Sequence, residues 1–402
     1  MLGAIIGDIA GSPYEFAVRS VPVDRRDLFG PEANYTDDTL MTLAVYDGLV
    51  KAGGDPARGP AAVTEAMRRI GTTFRPAGKG GFGRGFARWL CSPSPEPYGS
   101  CGNGSAMRVS SVGWLFPTLE ETEQWARITA AVTHNHPEGI KGAQAVAAAI
   151  FLARTGHTKS QILDYMASRF GYSPSASSVQ ATATTEVAER VSDGPRASRL
   201  IGTTCQVTVP EALAAFAEAT WFDECVRLAI APGGDTDTRA AIAGSIAEAY
   251  WGIREDWRDA ARSRLPGPLA DLLDTFERRT AAQRLVAVLD RPRPPLVPTG
   301  YRDESAALDR LTWDMYENGL MGYEAEVWGP LNACPLTEQD AILDPATADP
   351  VRLVSILIWY IQGEYVYEGL RAAAVRDGTL DAITRRAHEL AGLPVPSECP
   401  ED

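Results

Sequence analysis

Long apolar runs are missing from this chain. The longest, near residues 145–153 and 353–361, fall well short of the roughly 20 residues that a bilayer-spanning helix needs. The start, Met1-Leu2-Gly3-Ala4-Ile5-Ile6-Gly7-Asp8, carries no basic flank, and Asp8 interrupts it, so it does not read as a secretory leader. Cysteine is sparse and scattered: Cys91, Cys101, Cys205, Cys225, Cys334 and Cys399, with no CxxC pair. That pattern excludes a zinc ribbon and a disulfide framework and fits a reduced, cytoplasmic protein. Positive charge is short as well. Thirty-eight Lys and Arg stand against 52 Asp and Glu, a net charge of −14. Non-specific binding to nucleic acid or to a membrane surface needs a basic footprint, so both are excluded. A phosphate-bearing ligand is not, because bound divalent ions reverse the local field. Segments that alternate apolar and polar residues, or that are rich in β-branched ones, are absent too, which argues against a sheet.

What is present is helical. Hydrophobic residues make up 45% and charged residues 22% of 402, the balance of a globular chain with a sizeable core. Ala-rich, turn-bounded runs over 40–50, 121–132, 140–154, 210–218 and 239–251 predict an all-α fold for the first 260 residues. Gly3, Gly7 and Gly11 recur every fourth position, which gives a helix one bare stripe. Each glycine costs a helix about 1 kcal/mol relative to alanine, so the stripe predicts close packing of a central helix. The division predicted is a catalytic domain over 1–280, a Pro-rich linker over 281–303 and a small helical domain over 304–402. The linker rests on Arg291-Pro292-Arg293-Pro294-Pro295 and Pro298, which no helix continues through. New helical patterns follow at 304–318, 351–360 and 380–391.

Two acidic segments carry the chemistry: Thr36-Asp37-Asp38-Thr39 and Gly233-Gly234-Asp235-Thr236-Asp237-Thr238. Each precedes a helical run, so any one of their residues reads as an N-cap. A cap needs one oxygen, whereas each segment supplies two carboxylates and at least two hydroxyls. Adjacent like charges cost energy unless a cation lies between them, and oxygen-only clusters suit hard cations such as Mg²⁺ or Mn²⁺. Asp8, within an apolar run, is either structurally paired or part of a site. Glu15 follows a Gly-Ser-Pro break and reads as a surface turn residue or as a loop-borne catalytic carboxylate. The loop from Ser100 to Arg108 offers amides that could cradle a phosphate, or is an ordinary Asn-Gly turn. The loop from Gly78 to Gly85 imitates a dinucleotide fingerprint but lacks the preceding strand. His134 and His136 lie two apart before a proline, cannot share a helix face and lack a third soft ligand, so a zinc pair is not indicated.

Taken together, these residues resemble the ADP-ribosylglycohydrolase family. The resemblance runs, in order, through Gly7-Asp8, the Gly-Ser-Pro-Tyr-Glu-Phe segment, Thr36–Thr39, Gly102–Arg108, Thr133–Ala143 and Gly233–Thr238, and covers roughly residues 1–260. It implies an all-α fold around a central binuclear Mg²⁺ or Mn²⁺ site. Thr36, Asp37, Asp38, Asp235, Asp237 and Thr238 would be the ligands, with Glu15, Asp38 and Asp237 catalytic. Gly102, Asn103, Gly104, Ser105 and Met107 would line an ADP-ribose pocket that His134 also contacts. The implied reaction is metal-dependent cleavage of the bond between ADP-ribose and an N- or O-linked acceptor, a protein or a small molecule. Two other readings share these residues: a binder of ADP-ribose without turnover, and a two-metal nucleotide phosphohydrolase.

Overall fold

The computed structural model of the chain describes residues 1–16, 27–78, 81–174, 202–291, 305–317, 344–363, 374, 375 and 377–395. It divides into two compact units, Met1–Leu273 and Asp274–Asp402.

Among the described residues there are helices and no strand, as the sequence predicts. The first nine helices are α1 (Leu2–Gly11), α2 (Asp37–Ala52), α3 (Gly59–Thr73), α4 (Arg84–Cys91), α5 (Gly104–Met107), α6 (Ser110–Leu115), α7 (Leu119–Ala131), α8 (Pro137–Arg154) and α9 (Lys159–Phe170). Then come α10 (Cys205–Glu218), α11 (Phe222–Ile230), α12 (Thr236–Trp251), α13 (Glu255–Arg262) and α14 (Gly267–Leu289). The last three are α15 (Ser305–Glu317), α16 (Pro350–Gly363) and α17 (Thr379–Ala391). The only β-type pairing among described residues is an isolated antiparallel bridge between Gly102 and Thr204.

In the first unit α1 is buried over its whole length. It runs antiparallel to α12, backbone against backbone. A Cβ added at Gly3, Gly7 or Gly11 would overlap the carbonyl of Gly244, Ala240 or Thr236 respectively, and one at Gly244 would overlap that of Gly3. The glycine stripe therefore does what its spacing predicts. α2 begins with Thr36 as N-cap, carries Asp37 and Asp38 in its first turn and Lys51 in its last, and stops at Gly53 with φ of 64°. The same logic sets α9, which opens with a capping box between Thr158 and Gln161 and closes on Gly171 in the left-handed region.

In the second unit one core joins the C-terminal half of α14 (Ala282, Leu285, Val286, Leu289) to α15 (Leu308, Leu311, Met315), α16 (Leu353, Ile356, Leu357) and α17 (Leu380, Ile383, Ala387). Residues 281–289, assigned to a linker by sequence, are helical and contribute to this core. The prolines that prompted the assignment begin only at Pro292, and residues 292–303 lie outside the described residues.

Candidate functional site

The two acidic segments open α2 and α12, and both helix starts face one cavity of about 360 Å³. That size is ordinary for a small-ligand site. Glu15, Asp37, Asp38, Asp235, Asp237 and Thr238 line it, together with Gly102, Asn103, Gly104, Met107 and His134. Sequence positions more than 200 apart thus share one wall. Carboxylate oxygens of Glu15, Asp235 and Asp237 lie within 4.8 Å of one another.

Each acidic segment is held by the backbone around it. Thr36 accepts a hydrogen bond from the Asp38 amide (3.2 Å) and donates its hydroxyl to Asp8 Oδ1 (2.7 Å). Asp8, fully buried, also accepts from the amides of Thr36 (2.8 Å) and Thr39 (3.0 Å) and from the Thr39 hydroxyl (2.5 Å), all on Oδ2. At α12 the cap position is Asp235, whose side chain does not cap its own helix. Its Oδ2 instead accepts from Asn103 Nδ2 (2.7 Å). Gly233 and Gly234 precede it with φ of 73° and 81°, a turn that other residues adopt only with strain. Arg239 ties this turn down by donating to the carbonyls of Gly233 and Ala229 and pairing with Glu211. The Glu15 loop is fixed to it through the Phe16 amide, which donates to Gly234 O (2.6 Å).

Crowded carboxylates in a buried place hold protons more tightly. Burial, then the charges of Asp235, Asp37 and Asp8, pushes Glu15 up to about 8. Burial, then Asp8, pushes Asp37 up to about 7. Asp38 and Asp237 rise for the same reasons, burial first. Asp38 Oδ2 is buried with no hydrogen-bond partner among the described residues. A carboxyl oxygen without a partner, grouped with other carboxylates and a hydroxyl, forms a set that fits a hard divalent cation.

Two residues of the expected site do not line the cavity. Thr36 lies beneath it with its hydroxyl committed to Asp8 and to the α2 cap. Ser105 turns away, donating to Gly139 O (2.7 Å) and touching Cys205 Sγ. Asn103 does more than the loop reading suggests. Its side chain bridges Thr208 Oγ1 and Asp235 Oδ2, while its amide and that of Gly102 are taken by Thr203 O and Ser100 Oγ. His134 is buried beside Arg108, and burial first, then that charge, holds its pKa well below the usual value, leaving a neutral ring. Its Nδ1 meets the Thr133 hydroxyl at 2.6 Å. His136 caps α8, accepting from the Glu138 amide. Phe16, Met41, Arg84, Phe86, Tyr98 and Arg108 also line the cavity, and sequence reasoning singled out none of them for it. Apart from the Gly-rich run before Arg84, nothing local marks them.

No helix among the described residues is long and apolar enough to cross a membrane.

Residues 1–293 match the family model of the ADP-ribosylglycohydrolases. ADP-ribosylhydrolase ARH3 of Homo sapiens is 27% identical over 325 residues, an alignment covering 65% of this chain and 87% of that protein. ADP-ribosylarginine hydrolase Tri1 of Pseudomonas putida (strain GB-1) is 27% identical over 275 residues, covering 63% and 70% respectively. A solved ADP-ribosylglycohydrolase-related protein complex aligns with a TM-score of 0.46 at 23% identity, over 67% of this chain and 95% of that one. This chain belongs to the ADP-ribosylglycohydrolase family and is a hydrolase of ADP-ribosyl groups.

Proposed function

We propose that the chain hydrolyses the glycosidic bond between ADP-ribose and an N- or O-linked acceptor, releasing ADP-ribose, with two Mg²⁺ or Mn²⁺ ions held at the acidic wall. The observation that carries this reading is the grouping of Glu15, Asp235 and Asp237 within 4.8 Å in a cavity that Asp37 and Asp38 share. Asp37, Asp38, Asp235, Asp237 and Thr238 would hold the ions, with Thr36 supporting them from below. When bound, such ions supply Lewis acidity toward the ribose hydroxyls and lower the pKa of water.

The remaining steps belong to the chain. As the bond to the acceptor breaks, the ribose develops positive charge, which the Asp38 and Asp237 carboxylates stabilise. Glu15, with its affinity for a proton raised by burial, exchanges that proton with the leaving acceptor or the attacking water. The amide of Gly104, which lines the cavity, would be left to the diphosphate, since those of Gly102 and Asn103 are already bonded. Neutral His134 beside them offers a contact that does not repel a cation or fix an anion.

The acceptor assay starts with ADP-ribosylarginine, for which the Pseudomonas relative is named, beside ADP-ribosylserine and a nucleic-acid end. Asp237→Ala, or excess EDTA, is expected to abolish ADP-ribose release as followed by chromatography. Full turnover in EDTA refutes the metal dependence, and inorganic phosphate as product refutes the glycosidic reading. Tight ADP-ribose binding without turnover on any acceptor would make the chain a binder.

A further inference from the structure

We infer that Asp8 is a positioning residue: it takes over the capping of α2, so that the carboxylate of Asp38 is left to the cavity. The inference rests on the metal reading above. An aspartate in the first turn of a helix normally turns its carboxylate onto the free amides there. At α2 that option is closed except at the Asp37 amide, which bonds the Asp37 carboxyl itself. The Thr36 and Thr39 amides both donate to Asp8 Oδ2, and the Asp38 amide donates to the Thr36 hydroxyl, which is itself held by Asp8 Oδ1. With the amides satisfied from another helix, Asp38 has an oxygen that is buried and without a partner.

Asp8 does not line the cavity, so it touches neither substrate nor ion and acts only through α2. Its own place is set by its neighbours in sequence. Gly7 and Gly11 press α1 onto the backbone of α12 at Ala240 and Thr236, and the Thr236 hydroxyl donates to Gly11 O (2.8 Å). One short helix therefore holds both acidic segments, α2 through the Asp8 carboxylate and α12 through the glycine stripe. Partners that orient ligands in this way characteristically change metal affinity about 10- to 100-fold when removed.

The test is Mn²⁺ binding to the full chain, followed by electron paramagnetic resonance of the free ion, with circular dichroism confirming that each sample is folded. Asp8→Ala frees the Thr36 and Thr39 amides, and Asp38 turns back to cap them. Its Mn²⁺ dissociation constant is expected to rise about tenfold or more. Thr39→Val removes a single donor from Asp8 and is expected to weaken binding roughly two- to tenfold, while Thr39→Ser binds as the wild type does. Lower thermal stability with unchanged Mn²⁺ affinity in both Asp8→Ala and Thr39→Val would overturn the inference, because a purely structural role predicts that result. If Asp8→Ala does not fold, Thr39→Val decides by the same criterion. A wild-type chain that binds no Mn²⁺ refutes the metal reading, and this inference with it.

Discussion

A single amide shows how closely the site depends on its neighbours. Asn103 holds Asp235 Oδ2 at 2.7 Å and is itself nearly buried. Hydrogen bonds to a charged group are worth about 1.5–3 kcal/mol. Asn103→Ala is therefore expected to lower kcat about 10- to 100-fold, with the fold retained by circular dichroism. Unchanged kcat would mean that Asp235 needs no such support. His134 gives a pH signature. Its folded pKa lies below the unfolded value of 6.5, so stability is complete above about pH 6.5 and is lost as pH falls, while the unfolded chain takes up a proton that the folded one refuses. The loss approaches about 1.4 kcal/mol per pH unit. His134→Gln is expected to remove this contribution, so the gap between wild type and variant in denaturant midpoint narrows from pH 7.5 to pH 5. At this scale the sequence is legible where chemistry is concentrated. Four carboxylates and four hydroxyls in two short segments have few other uses, and the carboxylates meet. Asp8 was undecidable because a buried aspartate reads equally as partner or participant until its four donors are known. The bond from Asn103 to Asp235 is not legible in the sequence, because the two residues lie 132 positions apart and Asn-Gly is a common turn. Phe86 and Tyr98 carry no local signal, since only tertiary packing brings them to the cavity.

At the scale of elements, α1 and α12 form the contact on which the site's spacing depends. Their closeness requires glycine at three positions, because any Cβ there meets a carbonyl of the facing helix or its neighbours. Gly7→Ala is expected to cost about 1–3 kcal/mol or more, seen as a lowered midpoint in urea, since overpacking a close contact forces the helices apart. A neutral result would show that the two helices can separate without loss. Helix periodicity and capping made most elements legible, and the i, i+4 glycines announced this contact as well. The linker was placed too early because its prolines were allowed to define the residues before them, yet Ala281 to Leu289 form a sound helix that completes an apolar core.

Across the whole molecule, the boundary between the two units falls inside α14, after Leu273, whereas the family match ends at residue 293. A chain cut after residue 293 keeps Leu285, Val286 and Leu289 but loses the α15–α17 side chains that share their core. Burying one such side chain is worth roughly 1.5–3 kcal/mol. The cut chain is expected to hydrolyse its substrate but to associate more strongly than the full chain in light scattering, and equal scattering would argue that this stripe is harmless. The glycine contact has a further consequence, in time. α1 leaves the ribosome well before its partner, and the face it needs is not made until more than 220 residues later. At the usual pace of synthesis that wait is on the order of ten to fifty seconds, with Leu2, Ile5, Ile6 and Ile9 unsheltered by α12. A contact between such distant parts of the chain also makes refolding slower than in a bundle assembled from sequence neighbours.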